Sequence, residues 1–384
     1  MKTAKNSFTW KRGLCAALSL PMLLLAACGA KTDAGANGTA NTTTPMTIEM
    51  SSTTTAHEEL QLTEAPAPET TEQLATELLE TTTVETEPAE TPEPTEFVPD
   101  QSWPTGSCGA DLTWYFDAQA GQLTIVGSGT MEDYERDRSI DYGVSTPWCD
   151  YQEKIKTVNL PEGMTSIGDL AFYHCMALTS VTIPESVTHI GDGAFSGCKA
   201  LRDVTISSGA TEVSWGSVFQ SCIHLESIDI SADNAAYCNI DGVVFNQEQT
   251  ELLYYPMAKT TRVYTIPDGV TELREGAFAD AMNLSEVRIA DSVTKIGDEA
   301  FSGCSALRKV TIGSGVTSIG EDAFLACALQ EVTIPENVEE IGAHAFGYEL
   351  YGDYTANRFF VIHGSDGSAA QTYAEENNFK FRNK

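Results

Sequence analysis

The sequence predicts a mainly β solenoid with repeats of about 23 residues and short parallel strands. Three observations predict it. One phrase recurs, clearest as Leu178-Thr-Ser-Val181-Thr-Ile183-Pro184-Glu-Ser-Val187-Thr-His-Ile190-Gly191-Asp-Gly-Ala194-Phe195-Ser-Gly-Cys198. Its Phe returns at Phe172, Phe195, Phe219, Phe278, Phe301, Phe324 and Phe346, spaced 22 to 24 residues apart except between Phe219 and Phe278. Triplets such as Val181-Thr-Ile183 alternate apolar and polar, the mark of a half-buried strand. One such unit cannot bury its own apolar face, so several must stack.

In chain order, residues 1–28 read as an export signal. Lys2, Lys5, Lys11 and Arg12 precede an apolar run from Leu14 to Leu25. That run is too short for a confident membrane span. The stretch ends Leu25-Ala26-Ala27-Cys28-Gly29, which resembles the bacterial lipobox and makes Cys28 the candidate lipidation site. The alternative is an ordinary secretory signal with an incidental Cys28. Residues 29–103 are rich in Thr, Glu, Pro and Ala. With few large apolar residues they cannot offset their ordering entropy, and they read as a disordered tether. A glycosylated stalk has the same composition.

Residues 104–154 read as an N-terminal β cap. Two β-prone runs, 111–116 and 122–126, form a hairpin, and Gly127-Ser-Gly129 follows as a turn. Cys108 and Cys149 flank this cap and are a candidate disulfide in an oxidising setting; the alternative is two unpaired buried thiols. The solenoid proper spans 155–357. Pro184, Pro267 and Pro335 end strands. The Val-x-x-Ile-Gly segment is expected to turn the chain, with Gly supplying a positive φ. Cys175, Cys198, Cys222, Cys304 and Cys327 all lie three residues after the Phe, so they are expected to stack as small buried side chains, a role Ala281 fills in one unit. Residues 231–262 break the period and read as a β-hairpin insertion. Residues 358–384 form a C-terminal cap, with a strand at 359–362 and a short helix after Ser368.

The pattern L-x-x-V-x-I-P-x-x-V-x-x-I-G-x-x-A-F-x-x-C resembles the BspA-like class of leucine-rich repeats, found widely in bacterial surface proteins. The resemblance covers residues 104–384. It implies surface attachment and protein binding, with no shared catalytic residues. Similar Ile-Asp-Gly-Val-x-Phe insertions in that family imply a structural role for 231–262.

The formal net charge of −33 argues against a nucleic-acid partner. No C-x-x-C, His-x-x-x-His, P-loop or Gly-x-Ser-x-Gly occurs, so no metal, cofactor or catalytic site is expected and the chain does not read as an enzyme. The predicted surface is the outward column of strand centres: Asn159, Thr182, Thr205, Asp229, Thr265, Arg288, Thr311 and Thr333. Candidate ligand contacts are Arg288 and Asp229 in that column, together with Tyr237, Tyr254, Tyr255 and Trp215. Tyr173 is also expected to be exposed. The expected function is a lipid-anchored protein on the extracellular face of a bacterial membrane, binding an extracellular protein or glycan. The alternatives are a passive wall-spacing protein and a polymer-capture component of nutrient uptake.

Overall fold

The computed structural model describes residues 97–136 and 143–384. The expected export signal with Cys28, and the expected tether as far as residue 96, lie outside the described residues. Phe97 already packs near Trp103 and Tyr115, at ring distances of 6.3 and 5.8 Å, so chain before residue 104 belongs to the cap.

The chain winds into a mainly β solenoid of about nine turns. Each turn contributes to two parallel ladders. The first contains the predicted triplets: Ser180–Ile183, Asp203–Ile206 and Ser227–Ile230 pair in register, as do Val263–Thr265, Glu286–Arg288 and Lys309–Thr311. Their central residues face solvent as expected. The second ladder is built from segments expected to be turns. His189–Ile190 pairs with Glu212–Val213, and Glu272–Leu273, Lys295–Ile296, Ser318–Ile319 and Glu340–Ile341 follow one another.

The glycine ending this second strand has a different role from the one expected. Gly191, Gly297, Gly320 and Gly342 are not among the positive-φ residues. Instead the preceding turn lies against them. A Cβ on Gly320 would sit 2.5 Å from the Asp298 nitrogen, and one on Gly342 2.3 Å from the Glu321 nitrogen. The positive φ lies two residues before and two after the Phe. Leu170, Glu299, Asp322 and His344 hold the first position, and His174, Ser221, Asp280 and Ala326 the second.

These left-handed residues flank a third inter-turn ladder. The N–H groups of Leu170, Phe172 and His174 donate to the carbonyls of Asp192, Ala194 and Ser196 in the next turn. Glu299, Phe301 and Gly303 do the same to Glu321, Ala323 and Leu325. The carbonyl of the Phe also accepts from the thiol at the repeat position of the next turn: Cys198 Sγ donates to Phe172 O at 3.1 Å and Cys304 Sγ to Phe278 O at 3.0 Å. The column is therefore more than a row of small side chains, and Ala281 lacks the donor. All these thiols are free. Burial raises the Cys175 and Cys198 thiols and pushes Cys222 up to about 12, which keeps them unreactive.

The rings stack along the axis in two runs. Trp148, Phe172, Phe195 and Phe219 form the first, with centroids 5.1 to 5.7 Å apart. Tyr255, Phe278, Phe301, Phe324 and Phe346 form the second, at 4.6 to 4.8 Å. Tyr255 occupies the Phe position, 23 residues before Phe278, which resolves the irregular interval. Between the runs stands a three-stranded antiparallel meander, Tyr237–Ile240, Val243–Asn246 and Glu251–Tyr254, rather than the single hairpin expected. The β-prone run 237–245 is not one strand of that hairpin but folds back at Asp241-Gly242, both at positive φ. Lys259, buried, donates to the Asp241 carbonyl and carboxylate to hold that turn. Val244, Leu253 and Tyr254 face one core, whereas Val243, Phe245, Leu252 and Tyr255 face the other.

The N-terminal hairpin of Asp111–Asp117 with Gln122–Thr130 starts both ladders. Residues Gln122, Leu123 and Thr124 pair with Thr157–Asn159, and Ser128 with Gly163. Gly127 and Gly129, expected in a turn, kink this one long strand at φ of 109 and 95°. Cys108 and Cys149 are separate thiols here, not a bridge. Cys108 closes the sheet end through its N–H to Leu112 O, while Cys149 opens the 3-10 helix Cys149–Lys154 behind Trp148.

At the far end Val361–Gly364, the helix Ala369–Glu376 and Lys380–Asn383 close the core. Phe346 has no following turn to receive its N–H. The Tyr373 hydroxyl accepts that N–H at 3.0 Å and donates to the Phe346 carbonyl at 3.1 Å. Replacing Tyr373 with Phe leaves both buried groups without this partner. The expected loss is about 2–3 kcal/mol of unfolding free energy, read as a lower urea midpoint; a loss within error would refute the capping role.

Candidate binding surfaces

Stacking uses the inward side chains, so the chemistry left over lies on the two outward ladder faces. On the first, Thr182, Thr205 and Asp229 align in one column, and Thr265, Arg288 and Thr311 in another. Thr suits such columns by packing and hydroxyl contact between neighbours. Arg288 and Asp229 lie in separate three-stranded sheets, and the register does not bring them together.

Arg288 is not a free anchor. Its Nη2 lies 2.9 Å from Glu286 Oε1, and Lys309 Nζ lies 3.1 Å from the same oxygen. The Lys309 hydrogen bond, helped by the Arg288 charge, holds the Glu286 carboxyl below its ordinary range. The second face repeats the arrangement: Lys295 pairs with Glu272 at 2.8 Å and Arg274 with Glu251 at 3.3 Å. Each of these two pairs spans one turn. Exposed pairs contribute about 0–1 kcal/mol each, so they set register and surface charge more than stability. Beside the second ladder runs an open groove of about 600 Å³, lined by Glu272, Glu275, Asp298, Glu321 and Glu340 against Lys295 and Arg274. Its surplus of carboxylates suits a cationic or hydroxyl-rich partner.

The aromatic candidates are mostly core. Tyr254 is 7% and Tyr255 1% exposed. Tyr254 donates its hydroxyl to the Phe219 carbonyl at 3.3 Å, closing the first ring stack. The Tyr255 hydroxyl points to Thr261 O at 3.4 Å. Trp215, also buried, meets Tyr237 edge to face at 5.2 Å. Only Tyr237 is half-buried, and its hydroxyl donates to Thr211 O at 3.0 Å. Tyr173 is buried as well. These residues were singled out for aromatic character, but their hydroxyls mostly serve backbone carbonyls that a repeat break leaves exposed. A buried residue the sequence reading missed is Asn234. Its amide donates to the carbonyls of Ser207 and Ala210, while its oxygen accepts from Ala236 and Tyr237. Asn at a loop entry is a turn signal, and nothing in its spacing marks it as buried.

Among the described residues, no helix is long and apolar enough to cross a membrane. The described histidines are spread along the turns. His189 lies 3.5 Å from Glu212, His224 Nδ1 meets Lys199 O at 2.6 Å, and His363 lies 3.2 Å from Glu331. His174 is buried under Gly197, where a Cβ would meet its ring at 2.3 Å.

Residues 149–250 and 236–351 match the family described as BspA type leucine rich repeat region, in six copies. Similar solved structures include a leucine rich cell surface protein from Faecalibacterium prausnitzii, 22% identical with a TM-score of 0.43, covering 73% of this chain and 94% of that one. The pneumococcal vaccine antigen PcpA is 14% identical with a TM-score of 0.44, covering 75% of this chain and 100% of that one. A leucine-rich repeat protein from Eubacterium ventriosum is 20% identical with a TM-score of 0.32, covering 66% and 97%. No curated protein matches the chain.

His174 makes folding pH-dependent. Burial first, then the charges of Lys199 and Arg136, press its pKa from 6.5 down to about 4. The unfolded chain therefore binds this proton at a higher pH than the folded one. The stabilisation is complete above the unfolded value and is lost as pH falls from 6.5 towards 4, with a size on the order of 3 kcal/mol. The urea midpoint of the wild type should fall across this window, and that of His174→Asn should fall less; equal slopes would remove His174 as the cause.

Proposed function

This chain belongs to the BspA-type leucine-rich repeat family, and from that premise we propose that it is a surface-displayed binding protein. It engages an extracellular protein or glycan along its outward ladder faces. The observation that carries this reading is the pair of regular, solvent-facing columns on a scaffold whose interior is filled by its own packing. A rigid repeat array presents such columns as one extended surface, which suits recognition of an extended ligand. The acidic groove beside the second ladder adds a place for positively charged or hydroxyl-bearing groups.

The export signal and the lipobox-like Leu25-Ala26-Ala27-Cys28 support display on the extracellular face of a bacterial membrane, with acyl chains on Cys28 and residues 29–96 as the spacer. Acyl burial contributes about 0.8 kcal/mol per methylene. A passive wall-spacing role is the second reading. It is favoured by the Thr columns and inter-turn ion pairs, which stacking alone explains.

Two experiments test these statements. The mature chain should bind immobilised matrix proteins or bacterial surface glycans. Substituting the outward Thr205 and Thr311 with Arg should weaken that binding at least tenfold with no change in the urea midpoint. No binding above background, or binding indifferent to both substitutions, would sink the adhesive reading and favour the spacer. For the anchor, Cys28→Ala should move the chain from membrane fraction to medium; retention in the membrane would refute lipidation.

A further inference from the structure

In most turns the position two residues before the ring is left-handed, as at Leu170, Gly193, Gly276 and Glu299, and successive copies lie next to each other along the axis. In the last two turns this position is filled by Asp322 and His344, at φ of 56 and 52°. The Asp322 N–H donates to the Ala343 carbonyl at 2.9 Å, which fixes one turn on the other. Asp322 is only 9% exposed. Its Oδ1 and the Nδ1 of His344 are both buried and lack a hydrogen-bond partner. They face each other at 3.3 Å, within ion-pair distance, but without the alignment a hydrogen bond needs. Glu321 stands at the mouth. One ligand atom from each of the three residues lies within 4.8 Å of the others.

The surroundings hold these groups in place. Tyr354, on the hairpin Tyr348–Tyr351 with Asp353–Ala356, donates its hydroxyl to Asp322 Oδ2 at 2.8 Å. This leaves Oδ1 as the free lone-pair side. The same Tyr354 ring stacks on the His344 imidazole at 3.8 Å and 13°, and Tyr348 meets that imidazole edge-on at 4.9 Å.

We propose that Glu321, Asp322 and His344 form a divalent transition-metal site, suited to Zn²⁺, between the last two turns of the solenoid. One imidazole nitrogen and two carboxylates are the mixed N/O donor set that Zn²⁺ accepts. With metal–ligand distances near 2.0–2.2 Å at tetrahedral angles, two donors stand roughly 3.4 Å apart. That matches the Oδ1 to Nδ1 distance of 3.3 Å, which serves a hydrogen bond badly. The ion would satisfy both buried atoms at once. Tyr354 would be the outer partner that orients both Asp322 and His344. The exposed side next to Glu321 leaves a fourth position for water or for a donor group of a bound partner.

The test is a titration of the full chain with Zn²⁺ alone by calorimetry, repeated with Co²⁺ by visible absorption. The expected result is one equivalent bound in the chelator-competition range, a four-coordinate Co²⁺ spectrum, and a urea midpoint raised by Zn²⁺. Asp322→Asn keeps the Tyr354 bond, and His344→Phe keeps the ring stack. Each should weaken binding at least tenfold and abolish the Zn²⁺ effect on the midpoint, while the metal-free midpoint stays near wild type. Tyr354→Phe should weaken binding by a smaller factor. Absence of stoichiometric binding would overturn the proposal, and so would equal Zn²⁺ affinity in the Asp322→Asn, His344→Phe double variant. If one variant fails to fold, the other together with Tyr354→Phe decides the matter. Failure of this site would leave the ladder-face binding reading untouched.

Discussion

The inter-turn bond at the ring position is the constraint on which the structure depends. In the turns of Phe172, Phe278, Phe301 and Phe324, three N–H groups point along the solenoid axis to carbonyls of the next turn. A buried backbone donor without a partner costs roughly 1–3 kcal/mol. Any place where the repeat stops must therefore supply a substitute. The molecule does so with polar aromatics. Trp148 opens the first stack and donates its indole N–H to the Ala171 carbonyl at 3.0 Å, in the direction that backbone N–H groups use elsewhere. Tyr254 closes that stack by donating to the Phe219 carbonyl, and Tyr373 closes the second by accepting the Phe346 N–H. Phe suffices within the array because the next turn is always present. Trp and Tyr appear where a side chain must replace a missing turn.

The same constraint explains why some of the fold was legible in sequence and some was not. The first ladder was readable because its triplets alternate strictly, Val181-Thr-Ile183 being one of them. The second ladder was not, since two residues such as Lys295–Ile296 are too short for alternation to register. The long interval between Phe219 and Phe278 hides a ring position because Tyr255, not Phe, fills it. The repeat Gly was visible, but its reason was not. Close approach by Asp298 to Gly320 is a property of stacking, not of the local chain. Gly127 and Gly129 likewise read as a turn because the sequence does not show that one strand must feed two ladders.

Of the candidate surface, the outward Thr column was legible for the same period-two reason. The identity of the anchors was not. Aromatic residues near a break look like a patch in one dimension, yet Tyr254 and Tyr255 are drawn inward to face two different cores. Arg288 looked isolated among Thr residues in its own column. Glu286, two positions earlier on the same strand, neutralises it and takes Lys309 from the next turn as well. Strand neighbours across a turn are about 23 residues apart in sequence and adjacent in space. Local spacing rules therefore miss them.

That separation also bears on what a solenoid can build without any recognisable motif. A helical metal motif places its ligands a few residues apart, so it leaves a short spacing in the sequence. Here Asp322 and His344 are 22 residues apart and occupy the same position of successive turns. Neither residue is required by the fold at that position, since Leu170, Gly193 and Gly276 fill it elsewhere. Both instead carry polar atoms into a buried space without hydrogen-bond partners. Stacking accounts for their backbone conformation and for the Asp322 N–H. It does not account for the choice of a carboxylate above an imidazole, clamped by one tyrosine that bonds the first and stacks on the second. The chemical asymmetry of this last pair of turns is thus the part of the ring ladder that packing leaves unexplained, and ligand binding explains it.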